Sequence, residues 1–472
     1  MIISSLTGAT VELKEEQIDA LKMSLRGPIV TPEDAGYEEI RTVWNATIDR
    51  RPAMIIRCMG TADIIACVNF ARENNLLLCI KGGGHNIAGL GVADGALMLD
   101  MSLMRGVCVD EKNKVAHAQP GCVLGDIDSE TQLHGLAAVL GFVSLTGVVG
   151  LTLGGGLGYL TRRWGWTSDN VQSMTMVTAE GKHVRASEDE NPDLFWGLRG
   201  GGGNFGIVTG VDYTLYPIGP EVVGGLVAWP ASEAPKVLEL YRKVTAEAPP
   251  ELTVVTQMRP APPAPWLPKE YHGKLIIAIL TCYTGDPEQG EKTVAPIKTF
   301  GSPIGDVMIR RPYTQLQSML DATQPKGRRY YWKSEYLPEI KPEICDKFMT
   351  HAGQIPSPHS ALIFFQLEGA LNDIENNHSA VGNRDAHYIL NIAGSWEEEK
   401  DDDINIGWAR AAWVDMKSFS TGGTYINFLT EDDGPERNEA ALGENIKRLA
   451  EIKAMWDPDN FFRINRYVKP AG

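Results

Sequence analysis

The sequence is short of basic residues: 44 Lys and Arg stand against 60 Asp and Glu, a formal net charge of -16 at pH 7. Nucleic-acid phosphates require clustered Lys and Arg, so no nucleic-acid partner is expected. The charge favours solubility and says little about a substrate. No basic stretch followed by an apolar run occurs between Met1 and Lys14, so no secretory leader is expected and a cytoplasmic setting follows. The seven cysteines (58, 67, 79, 108, 122, 282 and 345) include no Cys-x-x-Cys and lie mostly in apolar runs. They read as reduced core residues, and with no secretory leader expected the sequons at Asn45 and Asn377 read as chance matches. The nine histidines form no H-E-x-x-H and no Cys/His cluster, so no metal is expected. A G-x-S-x-G elbow, the mark of many serine hydrolases, is also missing, as are internal repeats and low-complexity segments.

Long hydrophobic runs are scarce too. Gly135–Leu160 carries no charge and contains a G-x-x-x-G match at Gly150–Gly154, which invites a membrane reading. Eight of its 26 residues are glycine, however, and such density destabilises a helix. A buried loop closing on a ligand is expected instead. The acidic run Glu397–Asp403 is expected to be a solvated loop, the less favoured reading being a surface metal site.

What is present is an ordinary globular composition, 43% hydrophobic and 22% charged over 472 residues, long enough for two or three domains. Glycine is concentrated in three clusters: 82–84, 154–158 and 200–203, the last continuing as Asn204-Phe205-Gly206. In Lys81-Gly82-Gly83-Gly84-His85-Asn86, glycines free to take positive φ can form a concave nest of N–H groups for phosphate oxygens, with a histidine fixed beside it. None of the three matches a Rossmann fingerprint: the first ends in histidine and the third opens a strand.

The surrounding pattern places these loops. Ala53–Cys58 reads as a buried strand, and Thr61 or Asp63 caps a helix carrying Ile64, Cys67, Val68 and Ala71 on one face. Leu76–Ile80 is a second strand, so the Gly-Gly-Gly-His loop follows a β-α-β unit. Further strands are expected over 96–101, 114–119, 173–179 and 183–186, the last two joined at Glu180-Gly181, and over 206–216. Helices are expected over 126–134 and 192–198. Beyond a Pro-rich stretch at 259–268, strands at 275–282, 362–366, 388–393 and 424–429 with helices between them indicate a second domain, an antiparallel sheet covered by helices. The fold class expected is α+β. Period-two alternation in 424–429 would place Tyr425 and Asn427 on one face, a polar cavity wall.

The blocks KGGGHN at 81–86, GVVGLTLGGGLGYL at 147–160, WTSDN at 166–170, DLFWGLRGGGGNFGIVT at 193–209, YINF at 425–428 and DPDNFFRINRYVKP near the end together resemble the vanillyl-alcohol oxidase (PCMH-type) FAD-binding superfamily, in particular its berberine-bridge-enzyme-like branch. The resemblance covers most of the chain. It implies a two-domain PCMH-type FAD-binding fold, with residues 1–217 binding FAD, 218–430 binding substrate, and 431–472 returning to the first domain. FAD contacts are implied for Lys81, Gly82, Gly83, Gly84, His85, Asn86 and Gly89; for Gly147, Gly150, Leu153, Gly154, Gly155, Gly156 and Gly158; for Asp169; for Gly206, Ile207 and Val208; and for Asn465 and Tyr467. Here the chain departs from the family's Asn-x-Asn, with Tyr467 in the second position. His85 matches the histidine that the family links covalently to the flavin. Val143 stands where many relatives carry a second, cysteinyl link, so attachment through His85 alone is implied.

The implied activity is that of an FAD-dependent oxidase. Hydride leaves a C–H next to a hydroxyl or amine of a small organic substrate, and O2 reoxidises the flavin to give H2O2. Tyr425, assisted by Asn427, is the candidate base, although a hydrogen-bonded structural tyrosine is also compatible with the sequence. A phenol with a pKa of ~10 needs a nearby cation or the flavin to act as a base. Gln366 and the aromatics 330–332 are candidate pocket residues, and Lys333 a candidate pocket cation. The alternatives are a dehydrogenase of the same fold using another electron acceptor, and a non-redox nucleotide binder.

Overall fold

The computed structural model describes all 472 residues, and the fold is α+β, built on three main sheets. The first has four strands in the order Ile29–Val30, Met54–Arg57, Leu97–Asp100, Leu78–Lys81. Met54–Arg57 and Leu78–Lys81 both lie parallel to the central strand. They are joined through the helix Thr61–Glu73, which buries the expected Ile64, Cys67, Val68 and Ala71. Its cap is Gly60, with no side-chain cap bond. Asp63 instead accepts hydrogen bonds from the backbone N–H of Arg26, Gly27 and Met59.

The second sheet is antiparallel, in the order His183–Ser187, Val171–Val177, Ile207–Pro217, Val115–Ala118, Val107–Asp110, with Leu136–Ala138 also pairing on Ile207–Pro217. The hairpin turns at Gly181, whose φ of 76° lies in the left-handed region glycine tolerates. Within Gly135–Leu160 only this short strand and the helix Val148–Leu153 form. No helix of the molecule is long and apolar enough to cross a membrane.

The third sheet has eight antiparallel strands and spans Glu221–Trp396. From Leu275–Tyr283 it runs through Leu252–Pro260, Ala361–Gln366 and Tyr388–Trp396 to the edge strand Arg329–Leu337. One face packs on the helices Ala234–Glu247, Pro287–Lys298, Pro342–Ala352 and Asp402–Met416, burying Leu362, Phe364, Leu390 and Ile392 with Leu238, Phe348, Trp408 and Ala412. Because successive side chains alternate, the neighbours of these strand residues face the other way, towards the glycine-rich loops.

Two sequence expectations are corrected. Glu397–Asp403 is not a loop: Glu399–Asp401 is a 3-10 turn leading into the helix Asp402–Met416. Its first turn is acidic, as favours a helix N-terminus, and Asp402 pairs with Arg329 at 2.5 Å. Residues 424–429 are not a strand: Tyr425 is extended but Ile426–Phe428 forms a 3-10 turn. Asn45 is buried and donates to Ile87 O and Tyr330 O at 2.7 and 3.0 Å, so the first sequon is structural.

The last segment returns to the first two sheets. Leu449 and Ile452, on the helix Ile446–Trp456, join the core of the second sheet, and Phe461 and Phe462 join that of the first. Lys453, fully buried, donates to Asp457 Oδ2 and Asn204 O at 2.6 and 2.7 Å. Asp457 in turn accepts from Phe461 N and Phe462 N.

Candidate active site

A cavity of about 380 Å³ lies between the glycine loops and the free face of the third sheet. Of the residues implied by the sequence, Lys81–Asn86, Gly147, Gly150, Leu153, Gly154, Gly206–Val208, Tyr425, Asn427 and Asn465 line it. Val143, where relatives carry cysteine, lines it as well. Cys122 lies outside it, buried with Sγ 3.5 Å from Gly106 O, and burial pushes its thiol up to about 11.

The strand Leu78–Lys81 runs directly into the glycine loop. A Cβ on Gly83 would stand 2.5 Å from Gly147 Cα, so both loops approach as bare backbone. Gly84, at φ 67°, turns the chain, and its carbonyl accepts from Trp44 N at 2.9 Å. His85 then stacks on the Trp44 indole, centroids 4.4 Å apart, and Tyr330 stacks on Trp44 at 3.6 Å. The His85 Nε2 is buried with no partner. Burial lowers the imidazole pKa to about 4, so the ring is neutral at physiological pH. Lys81 contributes no free charge: its Nζ donates to Ile40 O and lies 3.6 Å from Asp100.

Tyr425, in the same lining, is 2% exposed, with its ring parallel to Trp166 at 5.5 Å. Its Oη accepts from Asn427 Nδ2 at 2.9 Å and from Gly156 N at 3.0 Å. The 3-10 turn thus joins by hydrogen bonding the two polar side chains that strand alternation would place on one face. Burial raises the phenol to about 12 and outweighs the donated bonds from Asn427, Gly156 and Leu157 that lower it. The Asn427 amide fills the space a Cβ at Gly154 would need and donates to Leu151 O at 3.1 Å.

Gly89, Gly155, Gly156, Gly158, Asp169 and Tyr467 do not line the cavity. Gly89, Gly155 and Gly156 shape turns at positive φ, and at Gly158 the Leu140 carbonyl occupies the place of a side chain. Asp169 forms a buried ion pair with Arg384 at 2.6 Å and accepts from Trp166 N. Tyr467 is 45% exposed; the neighbouring Arg466 reaches the cavity instead. Gln366 faces away, donating to Thr245 O at 2.8 Å, and Lys333 pairs with Asp433 and Asp432 at 2.7 and 3.1 Å. Of the 330–332 aromatics only Trp332 lines the cavity. Residues the sequence does not single out complete the wall, among them Gln257, Arg259, His359, Asn391 and Ser395. Strand parity is the available signal, but two of the strands carrying it, Leu252–Pro260 and Arg329–Leu337, are not among those expected from the sequence.

Known proteins share this arrangement. A family model described as "FAD binding domain" matches residues 52–187, and one described as "Berberine and berberine like" matches 424–469. Over 95% of its length, and 95% of the relative's, the chain is 28% identical to an FAD-linked oxidoreductase of Dictyostelium discoideum. It is likewise 28% identical to (R)-6-hydroxynicotine oxidase of Paenarthrobacter nicotinovorans, over 96% of this chain and 99% of that one. Glucooligosaccharide oxidase of Acremonium strictum, which carries 6-S-cysteinyl, 8α-N1-histidyl FAD, superposes with a TM-score of 0.83 at 22% identity, covering 97% and 99% of the two chains. The protein is an FAD-linked oxidoreductase of the PCMH-type fold. It carries both the FAD-binding and the berberine-like segments and is similar over nearly its whole length to FAD-linked oxidoreductases.

The residues present fit FAD. At Gly150 and Gly203, both in the lining, open space stands where a side chain would, and the same lining includes Gly206–Val208 and Tyr425. An imidazole with an unsatisfied nitrogen faces this space.

Proposed function

We propose that the protein is an oxidase for a small organic substrate, with FAD held by the glycine loops and joined to the chain through His85 alone. Bound FAD would supply a two-electron acceptor for the hydride of a substrate C–H bond, the electrons passing on to O2, so that a secondary alcohol and O2 give the ketone and H2O2. The chain's own contribution is positional and acid–base. His85 is kept neutral by burial, with a nitrogen free for attachment, and the Trp44 stack fixes its plane. Tyr425 takes the substrate's hydroxyl or amine proton. Asn427 and Gly156 donate to its oxygen, holding it in place and stabilising the phenolate. The sheet face bearing Gln257, Arg259, Asn391 and Trp332 holds the substrate body.

The observation that carries this reading is the pairing of Tyr425 and Asn427 in the lining of the same cavity as His85. An anaerobic reduction followed by mixing with oxygenated buffer tests it. Rapid reoxidation with stoichiometric peroxide is expected, whereas sluggish reoxidation that a quinone or dye accelerates would make the protein a dehydrogenase. A colourless purified protein would sink both.

A further inference from the structure

Resting on that reading, and concerning the substrate side of the same cavity, we infer that the substrate is a carboxylate with an aromatic or apolar body, and that Arg259 receives its carboxylate.

Arg259 is 9% exposed and lines the cavity. Its one side-chain hydrogen bond within the protein runs from Nε to its neighbour Pro260 O, at 3.4 Å. No carboxylate compensates it: apart from burial, the influence on its charge is a second cation, Arg328. Burial lowers the guanidinium to about 10, so it stays charged at neutral pH. Several other buried cations of this molecule are answered. Arg384 pairs with Asp169, Lys333 with Asp432 and Asp433, and Lys453 with Asp457. Arg162, which has no carboxylate, donates to the carbonyls of Glu368, Pro249, Leu252 and Ala248. A buried guanidinium without such partners is costly unless a ligand supplies the counter-charge.

The sheet provides space for that ligand. Met258 pairs with Leu362, so Arg259 stands beside Ala361, which pairs with Ala393, which pairs with Trp332. Two alanines therefore floor a groove that runs from the guanidinium to an indole, roughly 14 Å across at the usual strand spacing. One row along, Asn391 Oδ1 is buried with no partner, as is Trp332 Nε1. Phe365 and Phe428 add apolar walls. A planar carboxylate matches the guanidinium fork, the Asn391 Oδ1, an acceptor, would take a hydroxyl or amine hydrogen of the substrate, and the aromatic remainder of the groove suits a ring.

The test is isothermal calorimetry of the flavin-loaded protein with benzoate and phenylacetate, each against its primary amide. The carboxylates are expected to bind about tenfold or more tightly than the amides. In Arg259→Gln that preference should fall below about twofold, with flavin content and visible spectrum unchanged, and Arg259→Lys should restore part of it. Amides binding as well as the acids, no measurable binding of either acid, a preference that survives in Arg259→Gln, or flavin loss in that variant would each overturn the assignment. So would benzylphosphonate binding more tightly than both acids. The wild-type comparison needs no variant to fold. Calorimetry is also independent of turnover: carboxylate preference without peroxide formation sinks the oxidase reading alone, and peroxide formation without that preference sinks the anion site alone.

Discussion

At the scale of single residues, Tyr425 and His85 are each set by burial, which shifts them in opposite directions and leaves both rings neutral. Burial keeps the His85 imidazole neutral and raises the Tyr425 phenol to about 12. A base acts through its deprotonated form, so proton abstraction by Tyr425 should accelerate as pH rises towards that value. Stopped-flow anaerobic reduction is expected to show this alkaline rise. Tyr425→Phe should abolish it and slow reduction by about 10²-fold or more, leaving the flavin spectrum intact. Asn427 donates to the phenol oxygen and so favours the phenolate. Asn427→Ala should displace the rise to higher pH, read from the same profiles. His85→Ala should leave flavin that no longer migrates with the denatured chain on a gel. Flavin still attached would assign the link elsewhere.

At the scale of elements, the glycine loops work by close backbone approach. Gly83→Ala would push a methyl to 2.5 Å from Gly147 Cα, so the loops must separate at about 1–3 kcal/mol, typical of overpacking. Lower flavin occupancy and an earlier thermal transition would report it. Much at this scale is legible in the sequence. The β-α-β unit, the 183–187 hairpin and the helix Pro192–Leu198 follow from apolar periodicity and turn residues alone. The failures have a common cause. In 424–429 alternating polar and apolar side chains suit a strand, but no neighbouring strand pairs with the segment, and it closes as a 3-10 turn onto Gly156 and Leu151. Asp169 looks like a ligand-facing acid in WTSDN, yet its ion partner Arg384 lies more than two hundred residues away in sequence. Gln366 sits in a strand that the sequence does signal, but on its helix-covered face, which only the packing of the sheet reveals.

At the scale of the whole molecule, the chain leaves the first two sheets at Pro217, builds the third, and returns to close the core it left. Lys453 and Asp457 anchor that return with a fully buried ion pair at 2.6 Å. Lys453→Met leaves Asp457 without its cation, at a cost of about 3–5 kcal/mol. A lower thermal midpoint is the expected outcome, and an unchanged midpoint would show that the two backbone N–H groups suffice for Asp457. The sequence by itself determined the family resemblance, the glycine loops and the histidine at their end, because these lie in short contiguous motifs whose chemistry is local. The tertiary structure alone decided which side chains face the substrate. Arg259, Asn391 and Trp332 come from three strands, and they meet because of sheet order, register and parity, which arise from pairing between segments distant in the chain.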